Sequence, residues 1–274
     1  MVIIMVDYHI HSNYSVDAIA SLEDNIIKAI ELQMSEICFT DHIDYEQTPY
    51  IREIPFMFDV DQFFKEINVL KEKYKDRIKV LAGIELGMQP HIMEEVNRLI
   101  NNYEFDFILG SMHNVSRVDL YSKKILEIPT DEVWTNYFEE MLVCIKKIDN
   151  LNSVGHFDLP KRYNDKFRGY NLNANLKVIK SIFIEMIERD IALEVNTGGY
   201  SYGLNHPNPS DDFLDLYISL GGKLFTIGSD SHNLDQLGRG LYKGLKILYD
   251  KGINKIVTFE NQEIIFKSIK KYIK

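Results

Sequence analysis

The chain has 274 residues, 45% of them hydrophobic, and a formal net charge of −10 from 31 Lys and Arg against 41 Asp and Glu. That much apolar material supports one sizeable core, and a charged fraction of 26% is ordinary for a globular protein. The acidic balance argues against unspecific nucleic-acid or anionic-membrane binding, which need a positive footprint, and no apolar run approaches the ~20 residues that cross a bilayer.

In chain order, the apolar pattern predicts a strand over 2–8, a helix over 21–34 and a strand over 36–40. The N-terminal run has no basic leader and reads as this first strand, not as a signal peptide. Ser21, with Asp24 three residues on, resembles a capping box. A long loop over 43–58 leads to a helix over 59–74, where Phe63, Ile67, Leu70 and Tyr74 share one face. A strand over 78–85, a helix over 90–101 with Pro90 at its first turn, and a strand over 105–111 follow. A second long loop spans 114–129. Helices over 130–149, 175–189, 210–220 and 234–250 then alternate with strands over 153–156, 192–196 and 224–228. A short run over 255–259 suits a last strand, and 264–273 a last helix. Continuous apolar strands alternating with helices point to parallel βαβ units joined by right-handed crossovers, and seven or eight units favour a closed barrel. Cys38 and Cys144 form no C-x-x-C pair and read as reduced core residues of a cytoplasmic protein.

Six of the eight His (His9, His11, His42, His113, His156 and His232) lie at or just after predicted strand ends; His91 and His206 fall elsewhere. Strand ends of a barrel converge on one mouth, so these rings would share one space. Asp17 follows His11 in the first loop, Glu85 ends a strand in Gly-Ile-Glu-Leu-Gly, and Asp230 precedes His232 in Gly-Ser-Asp-Ser-His. Charge pairing needs fewer groups than this; mixed nitrogen and oxygen ligation of divalent metal accounts for the set. His9 and His11, two apart on a strand, present their rings to one face, although such pairs also occur without metal. Glu85 suits a carboxylate bridging two ions or a core acid held by a base, and no basic residue adjoins it in sequence. His42, His113 and His156 are each ambiguous alone and gain meaning by repeating one strand-end position.

The segments Asp-Tyr-His-Ile-His-Ser-Asn-Tyr-Ser-Val-Asp-Ala, Phe-Thr-Asp-His, Gly-Ile-Glu-Leu-Gly, Gly-Ser-Met-His, Gly-His-Phe-Asp-Leu and Gly-Ser-Asp-Ser-His run from residue 7 to residue 232. In order and spacing they resemble the motifs of the polymerase and histidinol phosphatase (PHP) family. The chain is most similar to its histidinol-phosphatase branch, in length and in Gly-His-Phe-Asp-Leu-Pro-Lys-Arg-Tyr and Glu-Val-Asn-Thr-Gly-Gly. The resemblance implies an α/β fold, a distorted (β/α)7 TIM-like barrel, as a single domain over residues 1–274. It implies three divalent ions, of Zn, Fe or Mn: one on His9, His11, Glu85 and Asp230, a second on Glu85, His113 and His156, a third on Asp17, His42 and His232. It also implies hydrolysis of a phosphomonoester, L-histidinol phosphate to L-histidinol and phosphate in histidine biosynthesis. Another PHP phosphoesterase, acting on a phosphotyrosine protein, a nucleotide or a general phosphomonoester, and a non-catalytic metal-binding PHP module are the alternatives. An amidohydrolase-like barrel would bridge its metals with a carboxylated strand-end Lys, and none stands out.

Dications offset the charge of a phosphomonoester dianion, lower the pKa of bound water toward ~7 and stabilise the in-line transition state. Glu85 and Asp230 are then expected to serve catalysis, together with Arg162, six residues after His156, whose fork suits phosphate. Lys161, Arg117 and Ser201 are further candidates for the substrate phosphate. Many histidinol phosphatases carry an Arg shortly after the Asn-Thr-(small)-Gly turn; here Gly-Gly-Tyr-Ser-Tyr over 198–202 has none. Asp44, Tyr45 and Glu46 are candidates to receive the imidazole and amine of the substrate. Asp158 is a candidate proton donor or a group that orients the site. The expected partner is a small-molecule phosphate ester, with no nucleic acid and no membrane, for a monomer or small homo-oligomer.

Overall fold

In the computed structural model, which describes residues 5–45 and 56–273, strands and helices alternate along the chain. The first half holds β1 (Val6–Ile10), α1 (Leu22–Glu31), β2 (Glu36–Phe39), β3 (His42–Ile43), α2 (Val60–Tyr74), β4 (Lys79–Gly87), α3 (Met93–Asn102), β5 (Phe107–Ser111), β6 (Asn114–Val115), β7 (Val118–Asp119) and α4 (Thr130–Lys147). The second holds β8 (Ser153–Val154), α5 (Pro160–Tyr163), α6 (Asp165–Arg168), α7 (Leu176–Glu188), β9 (Ala192–Asn196), α8 (Asp211–Ser219), β10 (Phe225–Gly228), α9 (Leu241–Asp250), β11 (Lys255–Glu260) and β12 (Glu263–Ser268). Parallel pairing runs in the order β1-β2-β4-β5-β8-β9-β10, with β3 beside the end of β4. The sheet curls until its edges meet. Ile10 bridges Ser231, His11 N donates to Ser231 O at 2.9 Å, and Asp230 N donates to His9 O at 2.8 Å. The result is a nearly closed parallel barrel of seven strands within a single α/β domain, as the sequence led us to expect. β1, β5 and β9 are buried along their whole length, which is why they read as mostly apolar runs.

The Ser21–Asp24 capping box forms: Asp24 N donates to Ser21 Oγ at 3.0 Å and Ser21 N to Asp24 Oδ2 at 3.4 Å, while Leu22, Ile26 and Ala29 face the core. Ser21→Ala is expected to cost about 1 kcal/mol of stability, seen as a lower urea midpoint at unchanged slope. An unchanged midpoint would show that the cap contributes nothing.

Three expectations at element ends need correction. Residues 264–273 are not a helix: β12 pairs antiparallel with β11 from Lys255↔Ser268 to Glu260↔Glu263, and one 3-10 turn, Ile269–Lys271, follows. The turn between them, Asn261 and Gln262, has φ of 49° and 65°, the two-residue geometry whose twist suits a hairpin. Gln in place of the usual Gly hides that signal, and Ile264, Ile265 and Phe266 suit a strand. The hairpin covers the N-terminal ends of the barrel strands, where Tyr8 Oη donates to Phe259 O at 2.9 Å and Lys267 Nζ meets Glu36 Oε2 at 2.9 Å. Pro90 does not open α3, which begins at Met93 without a side-chain cap. Finally, α9 begins at Leu241 and not at 234, because Gly238 and Gly240 adopt φ of 72° and 79°.

Of the first long loop, residues 46–55, Glu46 among them, lie outside the described residues. The second long loop contains the β6–β7 hairpin, turned by Ser116 and Arg117 at φ of 50° and 62°. Among the described residues no helix is long and apolar enough to cross a membrane.

Candidate metal centre

The C-terminal ends of the strands bring the predicted ligands together. His9 lies within β1 and His11 just beyond it, His42 opens β3, and Glu85 lies in β4, where register pairs it with His42. His113, His156 and the pair Asp230 and His232 follow β5, β8 and β10. Glu85 Oε2 stands 3.2 Å from His9 Nε2, 3.5 Å from His11 Nε2 and 2.9 Å from His42 Nδ1. Its Oε1 stands 3.3 Å from His113 Nε2 and 2.9 Å from His156 Nε2. Asp230 Oδ1 lies 3.5 Å from His9 Nε2 and 3.3 Å from His11 Nε2. At the rim, Asp17 Oδ2 faces His232 Nε2 at 3.3 Å and His42 Nε2 at 3.8 Å. The His11 ring stacks between those of His232 and His42, at 4.1 and 4.3 Å.

This chemistry fits divalent cations. Donor atoms of His9, His11 and Asp230; of His9, Glu85 and His156; of His42, Glu85 and His113; and of His11, His42 and His232 each gather within 4.8 Å. Buried His9 Nε2, His11 Nε2, His42 Nδ1 and Glu85 Oε2 have no hydrogen-bond partner. Leaving such atoms unpaired costs about 1–3 kcal/mol each, a cost that coordination removes. Imidazole nitrogen with carboxylate oxygen is a donor set for Zn, Fe or Mn.

Burial opposes every charge here, and mutual attraction overcomes it at His9, His42, His113, Glu85 and Asp230 but not at His11 and His156. Burial would lower His9, but Glu194, Glu85 and Asp230 push its pKa well up, and Asp44 and Glu85 do the same for His113. His42, also opposed by burial, is raised to about 9 by Glu85 and Asp17. Burial would raise Glu85 and Asp230, but the imidazoles, with Arg162 beside Asp230, hold both well below the carboxylate range. His11 and His156 are lowered by burial, His11 further by its neighbours His232 and His42. Without cations His42 is therefore protonated at pH 7, whereas a ligand must be neutral. Metal uptake at pH 7 is expected to release at least one proton per chain, and affinity to rise with pH until about 9. Calorimetry in two buffers of different ionisation enthalpy measures this; a buffer-independent heat would contradict it.

Behind the ligands lies a shell of buried acids. Glu194 Oε1 is 2.7 Å from His9 Nδ1, and its Oε2 accepts from His156 N at 2.8 Å. Asp41 accepts from Ser15 Oγ at 2.7 Å, and that oxygen is 3.2 Å from His11 Nδ1. Asp44 is buried with Oδ1 at 2.8 Å from His113 Nδ1, so it faces the ring of a candidate ligand. Glycines make room for these contacts: a Cβ on Gly87 would stand 1.7 Å from Asp44 Oδ1, and one on Gly228 2.3 Å from His9 Cβ. Sequence reasoning missed Glu194 and Asp41; the available signal was an acid inside or beside a fully buried strand.

The rings of His42, His113, His156 and His232 face a cavity of about 450 Å³, lined also by Glu85, Asp230, Arg162, Ser201, Tyr121, Tyr163 and Tyr202. That volume suits a small ester. Arg162 is buried, and its guanidinium donates to Asp230 Oδ2, to Asn196 Oδ1 and, at 2.7 Å, to Asn208 Oδ1, beneath the Tyr202 ring. Lys161 is not brought to the cavity: its Nζ turns to Asp158 at 3.0 Å and Ser210 Oγ at 2.6 Å. Arg117 is exposed at the β6–β7 tip and does not line the cavity either. Asp158 is buried, accepting from Asn208 Nδ2 at 2.6 Å and Ser210 N at 3.1 Å, and Tyr45 uses its carbonyl to receive Gln89 Nε2.

Known proteins share both sequence and architecture with this chain. A family model described as PHP domain matches residues 7–198. The chain belongs to the PHP domain family. A probable histidinol-phosphatase of Clostridium acetobutylicum is 34% identical to this PHP chain over 261 residues, 93% of this chain and 97% of the relative. A histidinol-phosphatase of Lactococcus lactis is 29% identical over 264 residues, 94% of this chain and 95% of the relative. The crystal structure of histidinol phosphate phosphatase from Lactococcus lactis, complexed with zinc, L-histidinol and phosphate, gives a TM-score of 0.82 at 28% identity, covering 95% of this chain and 98% of that one. A putative histidinol phosphatase from Listeria monocytogenes shares the fold, with a TM-score of 0.75 at 20% identity over 86% of this chain and 98% of that one.

Proposed function

We propose that this PHP protein is a metal-dependent phosphomonoesterase that hydrolyses L-histidinol phosphate to L-histidinol and phosphate. The observation that carries the reading is the convergence of six imidazoles on Glu85 and Asp230, with unpartnered donor atoms, under a cavity that Arg162 lines. Relatives of nearly equal length that bear the histidinol-phosphatase name support the substrate. The chain from 1 to 274 acts as one phosphatase unit. Its acidic balance suits a protein that meets a small-molecule ester and neither nucleic acid nor an anionic membrane, here read as a cytoplasmic monomer or small homo-oligomer.

Three ions, Zn, Fe or Mn, would be held by His9, His11, Glu85 and Asp230; by Glu85, His113 and His156; and by Asp17, His42 and His232. Glu85, with imidazoles against both of its oxygens, would be the ligand shared by the first two ions. Such ions supply positive charge against the phosphate dianion and make water acidic enough to attack it. Arg162 offers N–H donors to the phosphoryl oxygens, and its bonds to Asp230, Asn196 and Asn208 fix the fork before substrate arrives. Ser201 adds a hydroxyl at the cavity wall, and the Tyr121, Tyr163 and Tyr202 side chains narrow the space open to water.

A substrate panel tests the reading. Histidinol phosphate is expected to exceed p-nitrophenyl phosphate in kcat/KM by about 100-fold or more. Equal values would overturn the substrate assignment.

A further inference from the structure

We infer that Glu194 is a positioning residue that holds two adjacent metal ligands, His9 and His156, from behind, and so governs the paired ions on either side of Glu85. This rests on the reading that His9 and His156 bind metal.

Glu194 sits on β9, between β8 and β10, and is 1% exposed. Both of its oxygens are engaged. Oε1 meets His9 Nδ1 at 2.7 Å; Oε2 accepts from His156 N at 2.8 Å and from Asn196 Nδ2 at 3.0 Å. A metal-binding imidazole is neutral, and with a Glu194 oxygen 2.7 Å from Nδ1 the single proton of a ligating His9 belongs on Nδ1. The lone pair a cation needs is then on Nε2, the atom that faces Glu85 Oε2 at 3.2 Å and has no hydrogen-bond partner.

At His156 the constraint falls on the backbone. His156 has φ of 22°, a left-handed value that a residue with a Cβ adopts only when its surroundings enforce it. Glu194 holds its N–H there, and the ring reaches Glu85 Oε1 at 2.9 Å. One carboxylate thus fixes the ring of one ligand and the main chain of another, and these two with Glu85 form one of the gathered donor groups. His11 has a separate support, through Ser15 and Asp41, and the donors of His11, His42 and His232 meet without Glu194.

The test is zinc binding with nitrogen-15 NMR of the imidazoles. In zinc-loaded wild-type protein, His9 is expected to carry an exchange-protected proton on Nδ1 and none on Nε2. In Glu194→Gln the side chain keeps its size but has only one accepting end, so either His9 Nδ1 or the His156 and Asn196 donors face an amide nitrogen. This variant should bind zinc 10–100-fold more weakly at the two sites beside Glu85, while the third site keeps its affinity. Unchanged affinities, or an equal loss at all sites, would overturn the role of Glu194. If Glu194→Gln does not fold, the wild-type spectrum decides: a His9 proton on Nε2 overturns the inference. A wild-type chain that takes up no zinc overturns the parent reading instead.

Discussion

Glu85→Ala is expected to lower kcat/KM by about three orders of magnitude, about 4 kcal/mol of transition-state stabilisation, and to remove more than one bound ion per chain. Five imidazoles stand within 3.5 Å of its two oxygens, so no other residue at the mouth is shared so widely. Without it, the rings of His9, His42, His113 and His156 lose the one carboxylate they all share. Protonation of any one then opposes protonation or metal loading of the rest. His42→Ala removes one ligand at the rim and should do less damage. Steady-state kinetics with metal analysis of both variants checks this; equal and mild effects would contradict a bridging role for Glu85.

Arg162→Ala is expected to injure both fold and reaction. Its guanidinium is buried against the buried carboxylate of Asp230, and removing one partner of such a pair costs about 3–5 kcal/mol because the other charge is left uncompensated. Asn196 and Asn208 would also lose a donor. Chemical denaturation should therefore show a large loss of stability, and activity in the surviving folded fraction should fall through KM and kcat together. Arg162→Lys keeps the charge but not the fork, so it should recover part of the stability and little of the phosphate binding. A stable, fully active Arg162→Ala protein would remove Arg162 from the site.

The sequence made the barrel and the convergence legible because both depend on local pattern. Buried parallel strands are mostly apolar runs, and His and acids in or after their ends stand out against them. What stayed hidden depends on partners far apart in the chain. Glu194 and His9 are 185 positions apart, and nothing near Glu194 announces that its carboxylate meets a ring of another strand. Lys161 and Arg162 are neighbours in a four-residue helix, yet one turns to Asp158 and the other to the cavity. Only the helix phase relative to the barrel separates them. The β11–β12 hairpin was hidden by a Gln at a turn position that usually carries Gly, and Asp44 by lying in a loop that suggested substrate contact but folds beneath His113.

The central claim, a multi-ion centre that performs phosphomonoester hydrolysis, is tested most directly by elemental analysis of chelator-free protein during titration of the apo form. Three ions per chain are expected at full activity on histidinol phosphate, with no activity in the metal-free protein. Full activity with no metal, or with a single ion per chain, would contradict it.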